Sequence, residues 1–219
     1  MATIRTRTKY PKNVKQPAPN MLKPGRKNAK LGHRVSVGVW KGMVLWQLSL
    51  EERVTCPRTC DQWDDCYGNN MPFAYRYDHT ADDFIEMLSM SLADKQKRHP
   101  NGFVVRLHVL GDFFSVAYVQ QWAKWLDEFP ALHVYGYTHH HPDSDIGRAL
   151  SELNKSSKWK VRFSDAQDTI FSANVIPIRR EAKKGIEVIC PEQLGQTDKC
   201  TSCGLCWSQQ ERSILFLKH

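Results

Sequence analysis

"FVVRLHVLGDFFSVAYVQQWAKWL", residues 103–126, reads as a strand, a polar turn and a helix. Residues 103–110 form an apolar run of strand length. Ser115 stands where a helix N-cap belongs. Val119, Trp122, Trp125 and Leu126 then recur at helical spacing and make one apolar face. The alternation continues on both sides. "MVLWQL" (43–48) is a strand, and a helix is expected to start at Thr80, three residues ahead of Asp83, with Phe84, Ile85, Leu88 and Leu92 as its buried stripe. "LHVYGYT" (132–138) is a strand, "DSDIGRALSEL" (143–153) a helix and "WKVRFS" (159–164) a strand. "RVSVGVW" (34–40) reads as a strand turned into 43–48 by Lys-Gly, and "NVIPIR" (174–179), "IEVI" (186–189) and "SILFLK" (213–218) as later strands. Strand–helix–strand alternation implies right-handed crossovers and a parallel sheet. The units are too few for an eight-fold barrel. The expected fold class is therefore α/β: a partial, open parallel α/β barrel over residues 32–219, with a C-terminal four-cysteine metal-binding segment at 190–206 and a basic, extended N-terminal arm over 1–31.

In such folds the reacting groups collect at the carboxyl ends of the strands. The polar motifs of this chain fall at those ends. "TCPRTCDQWDDCY" (55–67) follows the strand at 43–48, "LGDFFS" (110–115) the next, "YTHHHPDSD" (137–145) the third and "FSDAQD" (163–168) the fourth. Successive strands thus deliver thiols, Gly-Asp, Thr-His and Ser-Asp to one rim.

The charge is uneven. Residues 1–41 hold eleven Lys and Arg and no Asp or Glu, whereas the rest of the chain sums to −3, giving +8 overall. Pro11, Pro17, Pro19, Pro24 and Gly25 argue against regular structure there. Arg5, Arg7, Lys9, Lys12, Lys15, Lys23, Arg26, Lys27 and Lys30 are the expected phosphate contacts of a nucleic acid, with a solubilising tail as the plainer alternative. On this reading the arm has almost nothing to bury, and its deletion leaves the fold intact. No apolar run reaches the length of a membrane span, and the N-terminus lacks the apolar core of a signal peptide. A cytoplasmic protein without membrane partners is expected, so the seven cysteines are metal ligands or redox groups rather than disulfides.

The cysteines fall in two sets. Cys190, Cys200, Cys203 and Cys206 complete a tetrahedral set, and the C-x2-C-x2-C run favours an iron–sulfur cube, with zinc as the alternative. Cys56, Cys60 and Cys66 are three. Three thiolates on a [4Fe–4S] cube leave one iron open to a small molecule; the alternatives are zinc with a fourth ligand such as His79, or plain buried thiols.

Three cysteines in the loop after the first sheet strand, with Tyr67 directly after the last, resemble the cluster loop of radical S-adenosylmethionine enzymes. "LGDFFS" stands where that superfamily has Gly-Gly-Glu-Pro, which meets the amino group of the cofactor. The spacing departs from the usual C-x3-C-x2-C by being C-x3-C-x5-C, and Gly111-Asp112 replaces the longer acidic motif. The set "TCPRTCDQWDDCYG", "HVLGDFFS", "YGYT" and "CPEQ…CTSCGLCW" also resembles the phage-encoded gene product 88-like group, from about residue 35 to the end. The resemblance implies one or two [4Fe–4S] clusters and S-adenosylmethionine, with Gly111, Asp112, Tyr67 and Thr138 as cofactor contacts.

Asp112, Asp165 and His108 are the candidate catalytic residues. The plainer readings are a helix-capping Asp112, a turn-capping Asp165 and Asp168, and a hydrogen-bonded core His108. His139, His140 and His141 read as solvated loop. Three functions follow: an iron–sulfur, radical S-adenosylmethionine-like enzyme modifying nucleic acid, with DNA favoured over RNA; a zinc-stabilised base-exchange transferase with a carboxylate nucleophile; or a metal-stabilised nucleic-acid-binding protein without catalysis.

Overall fold

Alternation of side chains across the strands decides which elements cover which face of one large sheet. The computed structural model describes residues 7–164, 171–176, 178, 180–208 and 212–218. In chain order the strands are β1 (Val14–Lys15), β2 (Lys23–Pro24), β3 (Val44–Gln47), β4 (Arg76–Tyr77), β5 (Phe103–Leu107), β6 (Leu132–Thr138), β7 (Trp159–Ser164), β8 (Ser172–Ile176), β9 (Glu187–Ile189) and β10 (Ser213–Leu217). The helices are α1 (Phe84–Arg98), α2 (Val116–Glu128), α3 (Asp145–Leu153) and the single turn α4 (Cys200–Cys203).

Eight strands form a mixed, mostly parallel sheet in the order β2-β3-β5-β6-β7-β8-β10-β9. Only β2 against β3 is antiparallel. The strands ending near 48, 110, 138 and 164 are neighbours, as expected, and α1, α2 and α3 cross between them. The order β3-β5-β6-β7 advances in one direction, so crossovers of one hand leave all three helices on one face. Phe103, Val105 and Leu107 of β5, Leu132 and Val134 of β6, and Trp159, Val161 and Phe163 of β7 pack there with Leu88, Leu92, Trp122, Trp125 and Leu150. The alternate residues Val104 and Tyr135 face the other way, against Leu31, Val35, Trp40, Trp207 and three of the C-terminal cysteines. Among the described residues no pairing joins edge strands β2 and β9, so the sheet is open and the barrel expectation reduces to a mostly parallel α/β sheet. Among them, too, no helix is long and apolar enough to cross a membrane.

Several boundaries differ from the sequence reading. Residues 34–40 form no strand; Arg34 bridges Val44 and the chain turns through Gly38 and Gly42, both at positive φ. Trp40 leaves the edge to stack on Trp207. Helix α1 starts after Asp83, because Thr80 is spent on a local turn, donating its amide and hydroxyl to Asp78 Oδ1 at 2.9 and 2.6 Å. Ser115 caps α2 as expected by accepting from the Tyr118 amide.

The N-terminal segment is the main correction. It lacks long regular elements, yet from Thr8 onward it is not a free arm. β1 pairs with β4, β2 pairs with β3, and Met21 and Leu22 are buried in the helix-side core. The Met21 amide donates to Ser91 Oγ at 2.8 Å. A few apolar residues among many charges suffice to dock a strap when the receiving groove is already formed.

Candidate metal centre

The loop between β3 and β4 carries Cys56, Cys60 and Cys66 along the carboxyl edge of the sheet. Its frame is ionic and buried. Arg76 is fully enclosed and places its donors on Glu52 (2.8 and 3.0 Å) and on the carbonyls of Gly68, Met71 and Ala74. All five guanidinium N–H groups are thereby used, the condition under which a buried ion pair is tolerated. Thr8 of the strap donates to the same Glu52 at 2.6 Å. Arg53, the one non-glycine residue at positive φ among those described, donates to the Trp63 carbonyl and to Asn69 Oδ1. Little in the sequence signals this framework beyond the adjacent acids Glu51-Glu52 just past a strand.

The frame aims amides at sulfur. The Arg53 amide donates to the Cys56 sulfur and the Gly68 amide to that of Cys66. Burial pushes the Cys56 thiol well up, and the charges of Asp112, Cys60 and Cys66 push it further. Burial likewise raises Cys66, with Glu52 and Cys60 adding and Arg53 opposing. The three cysteines and Asp112 thus act on one another through space. Without a cation the Cys56 and Cys66 thiols keep their protons; a bound metal would release them.

Asp112 reaches this centre from the loop after β5. It is buried, and its two oxygens accept from the amides of Phe113 (2.7 Å) and His139 (2.8 Å). Its own amide donates to Thr55 Oγ1 at 3.0 Å. The residue therefore staples the loops after β3, β5 and β6 together, which no local sequence signal revealed. Gly111 has φ of 82°, and a Cβ there would stand 2.7 Å from Thr55 Oγ1 and 2.8 Å from Leu50 Cβ. Only glycine permits that approach. Thr138 is buried and accepts from the His140 amide at 3.1 Å. Tyr67 is 43% exposed and opens a short turn directly after Cys66.

Other candidates lie elsewhere. His108 is buried against Phe113 and Tyr118, with Nε2 3.2 Å from the Tyr118 hydroxyl. His79 packs on Phe114 at 4.5 Å between ring centroids. Asp165, Asp168 and Arg5 lie outside the described residues.

The second set sits on the opposite face of the sheet from the helices. Cys190, Cys200, Cys203 and Cys206 line one cavity with Pro191, Glu192, Leu205 and Ile214. Gly204, at φ of 70°, turns α4 into the next short turn, and the Leu205 amide donates to the Cys203 sulfur. The Tyr137 hydroxyl is hydrogen-bonded to Cys206. Arg162, buried in β7, donates to the Cys206 carbonyl at 3.2 Å and the Arg212 carbonyl at 2.8 Å. Burial raises the thiol pKa of Cys200, Cys203 and Cys206, and their neighbours' charges add to it.

Four soft donors with one amide and one hydroxyl already turned to sulfur match the needs of a thiophilic metal. The cavity is about 10 Å³, the space of one water-sized sphere. Among the described residues, however, no three His, Cys, Asp or Glu side chains stand as a finished ligand cage. At either centre the thiols would have to draw together on the metal.

Over residues 20–148, more than half of the chain, the sequence matches the family model described as Gene product 88. No curated protein and no solved structure matches.

Proposed function

The chain belongs to the gene product 88 family, and we propose that it is an iron–sulfur enzyme acting on nucleic acid, with the reaction centre at Cys56, Cys60 and Cys66. The observation that carries this reading is the mutual influence of three thiols and Asp112 at the carboxyl edge of parallel strands, apart from the four-cysteine set. A [4Fe–4S] cluster held by the three thiolates would supply a one-electron couple, and S-adenosylmethionine is the cofactor proposed to go with it. The chain's own residues do the positioning. The Arg53 and Gly68 amides orient two of the sulfurs, and the Glu52–Arg76 pair fixes the loop that carries them. Asp112 and Gly111 hold the loops after β3, β5 and β6 in register, so Asp112 is a positioning residue. Tyr67 offers a ring at the open side. The net charge of +8 supports an anionic polymer as substrate, DNA in the first instance.

At Cys190, Cys200, Cys203 and Cys206 a complete four-thiolate set fits structural zinc, which would hold the chain end in place. The carboxylate-transferase alternative finds less support, because both oxygens of Asp112 are taken by backbone amides.

The test is iron, sulfide and zinc analysis of anaerobically purified protein, wild type beside Cys56→Ala and Cys203→Ala. The expected wild type holds about four irons and about one zinc per chain. Cys56→Ala loses the iron and sulfide and keeps the zinc; Cys203→Ala does the reverse. Protein with zinc and no iron would leave a metal-stabilised binding protein as the function.

A further inference from the structure

The strap that docks on the body also changes what its lysines are for. Segment 66–77 leaves Cys66, runs over the surface and pairs with β1 through β4. Along it Phe73 is 90% exposed, Tyr75 51% and Tyr67 43%. Isolated exposed apolar residues are commonplace; three aromatic rings on one short segment, next to a row of cations, are a feature to be explained. Lys15 Nζ lies 5.7 Å and Lys23 Nζ 5.8 Å from the centre of the Tyr75 ring. These ammonium groups donate to the carbonyls of Lys12 and Asn20, and neither has a carboxylate partner among the described residues. Lys9 and Lys12 stand exposed on the same strap. Of the acids that border the segment, Asp78 accepts from Thr80 and Gln16, and Asp65, at the Tyr67 end, pairs with Lys218 at 2.7 Å.

The backbone of this surface is tied down by hydrogen bonds. Arg76 beneath it holds the carbonyls of Gly68, Met71 and Ala74, and Asn13 of the strap donates to the Pro72 carbonyl. The Tyr10 hydroxyl donates to the Asn69 carbonyl at 2.6 Å. Rings and charges are thus presented without an ordering cost at the moment of binding.

We infer that Phe73 and Tyr75, flanked by Lys15 and Lys23, form a binding platform for single-stranded nucleic acid that leads past Tyr67 to the Cys66 loop. Exposed ring faces stack on bases that are free of a partner strand, and uncompensated lysines follow the phosphates between them. A duplex keeps its bases covered and offers those rings nothing to stack on. The inference rests on nucleic acid being the substrate class, and it names the strand state and the surface.

The test is fluorescence anisotropy of the full chain with a labelled oligothymidylate of about 15 nucleotides, beside the same length as duplex and beside phosphatidylserine vesicles. Phe73→Ala with Tyr75→Ala is expected to weaken single-strand binding by about 10- to 100-fold, with the salt slope unchanged. Lys15→Gln with Lys23→Gln is expected to lower the slope of log K against log salt by about 1.4. Duplex and vesicles should bind more weakly and ignore the aromatic variant. Phe73, Tyr75 and Lys15 are exposed and Lys23 is half-buried, and circular dichroism checks that the variants fold. Wild-type affinity in the aromatic variant overturns the inference. So does a duplex, or a vesicle, that binds as tightly as the single strand and loses as much. Because the assay reads binding and not turnover, protein without iron that still binds in this manner retains the platform and removes only the iron–sulfur reading.

Discussion

At His108 burial, more than any partner, sets the chemistry of the side chain. Its ring is enclosed beside Tyr118, and burial, helped by the charge of Arg106, lowers its pKa to about 3. The folded protein therefore refuses a proton that the unfolded chain accepts below about pH 6.5. Its contribution is fully present above that pH and is lost as the pH falls toward 3, at a slope approaching about 1.4 kcal/mol per pH unit. Urea unfolding at pH 7 and pH 5 should show a loss of about 2 kcal/mol assignable to this residue. His133 and His79, also lowered by burial, act in the same direction, so the comparison is with His108→Gln. If that variant keeps the full pH dependence of the wild type, the loss comes from elsewhere. Asp112 teaches the complementary lesson. Its position beside Cys56 invites a catalytic reading, but both of its oxygens are already occupied by amides.

Among the elements, the strap from Thr8 to Leu31 is where local composition misleads most. Eleven basic residues and four prolines before residue 42 describe a chain that cannot fold by itself. Two apolar side chains inside it, Met21 and Leu22, enter the core beside α1, and the strap closes one edge of the sheet through β2. Met21→Ala should lower the unfolding free energy by about 2–5 kcal/mol, the range for emptying a buried methionine site. Denaturant titration reads it directly. A change under about 0.5 kcal/mol, as for a surface substitution, would return the segment to the status of a loose tail. The same docking explains why the strap lysines are fixed in place: β1 sets Lys15 opposite Tyr77, and β2 sets Lys23 opposite Gln47.

For the whole molecule, the two faces of the sheet are closed by different means. Helices, joined by Met21 and Leu22 of the strap, cover one face; residues 31–40 and the cysteine-bearing tail cover the other. β10 inserts between β8 and β9, and the Cys200 and Thr201 amides donate to the Lys30 and Leu31 carbonyls at 2.9 and 3.1 Å. Chain end and chain start are thus held through the same four-cysteine segment. Cys203→Ser, or removal of metal by a chelator, should deprotect amides in β9, β10 and residues 30–36 in hydrogen exchange while β5, β6 and β7 stay protected. Loss of protection spread evenly over the sheet would mean that the segment does not act as a local clamp.

The sequence by itself determined the parallel core. Period-two and period-3.6 patterns from 43 to 164 are local, so β3, β5, β6 and β7, their crossovers and the Ser115 cap were readable residue by residue. It also separated the cysteines into three and four, because those sets are far apart along the chain. It did not determine that residues 34–40 turn instead of pairing as a strand, that the strap docks, or that Asp112 is bound by the amides of Phe113 and His139. Nor did it show that Glu52 meets Arg76, twenty-four positions away. These rest on contacts between segments that carry no periodic signal, and only the assembled sheet creates them. A buried charge is tolerated only where its partner arrives, and an isolated apolar pair counts only where a groove awaits it. Tertiary structure decides both, because desolvation is set by what surrounds a group in space and not by its neighbours along the chain.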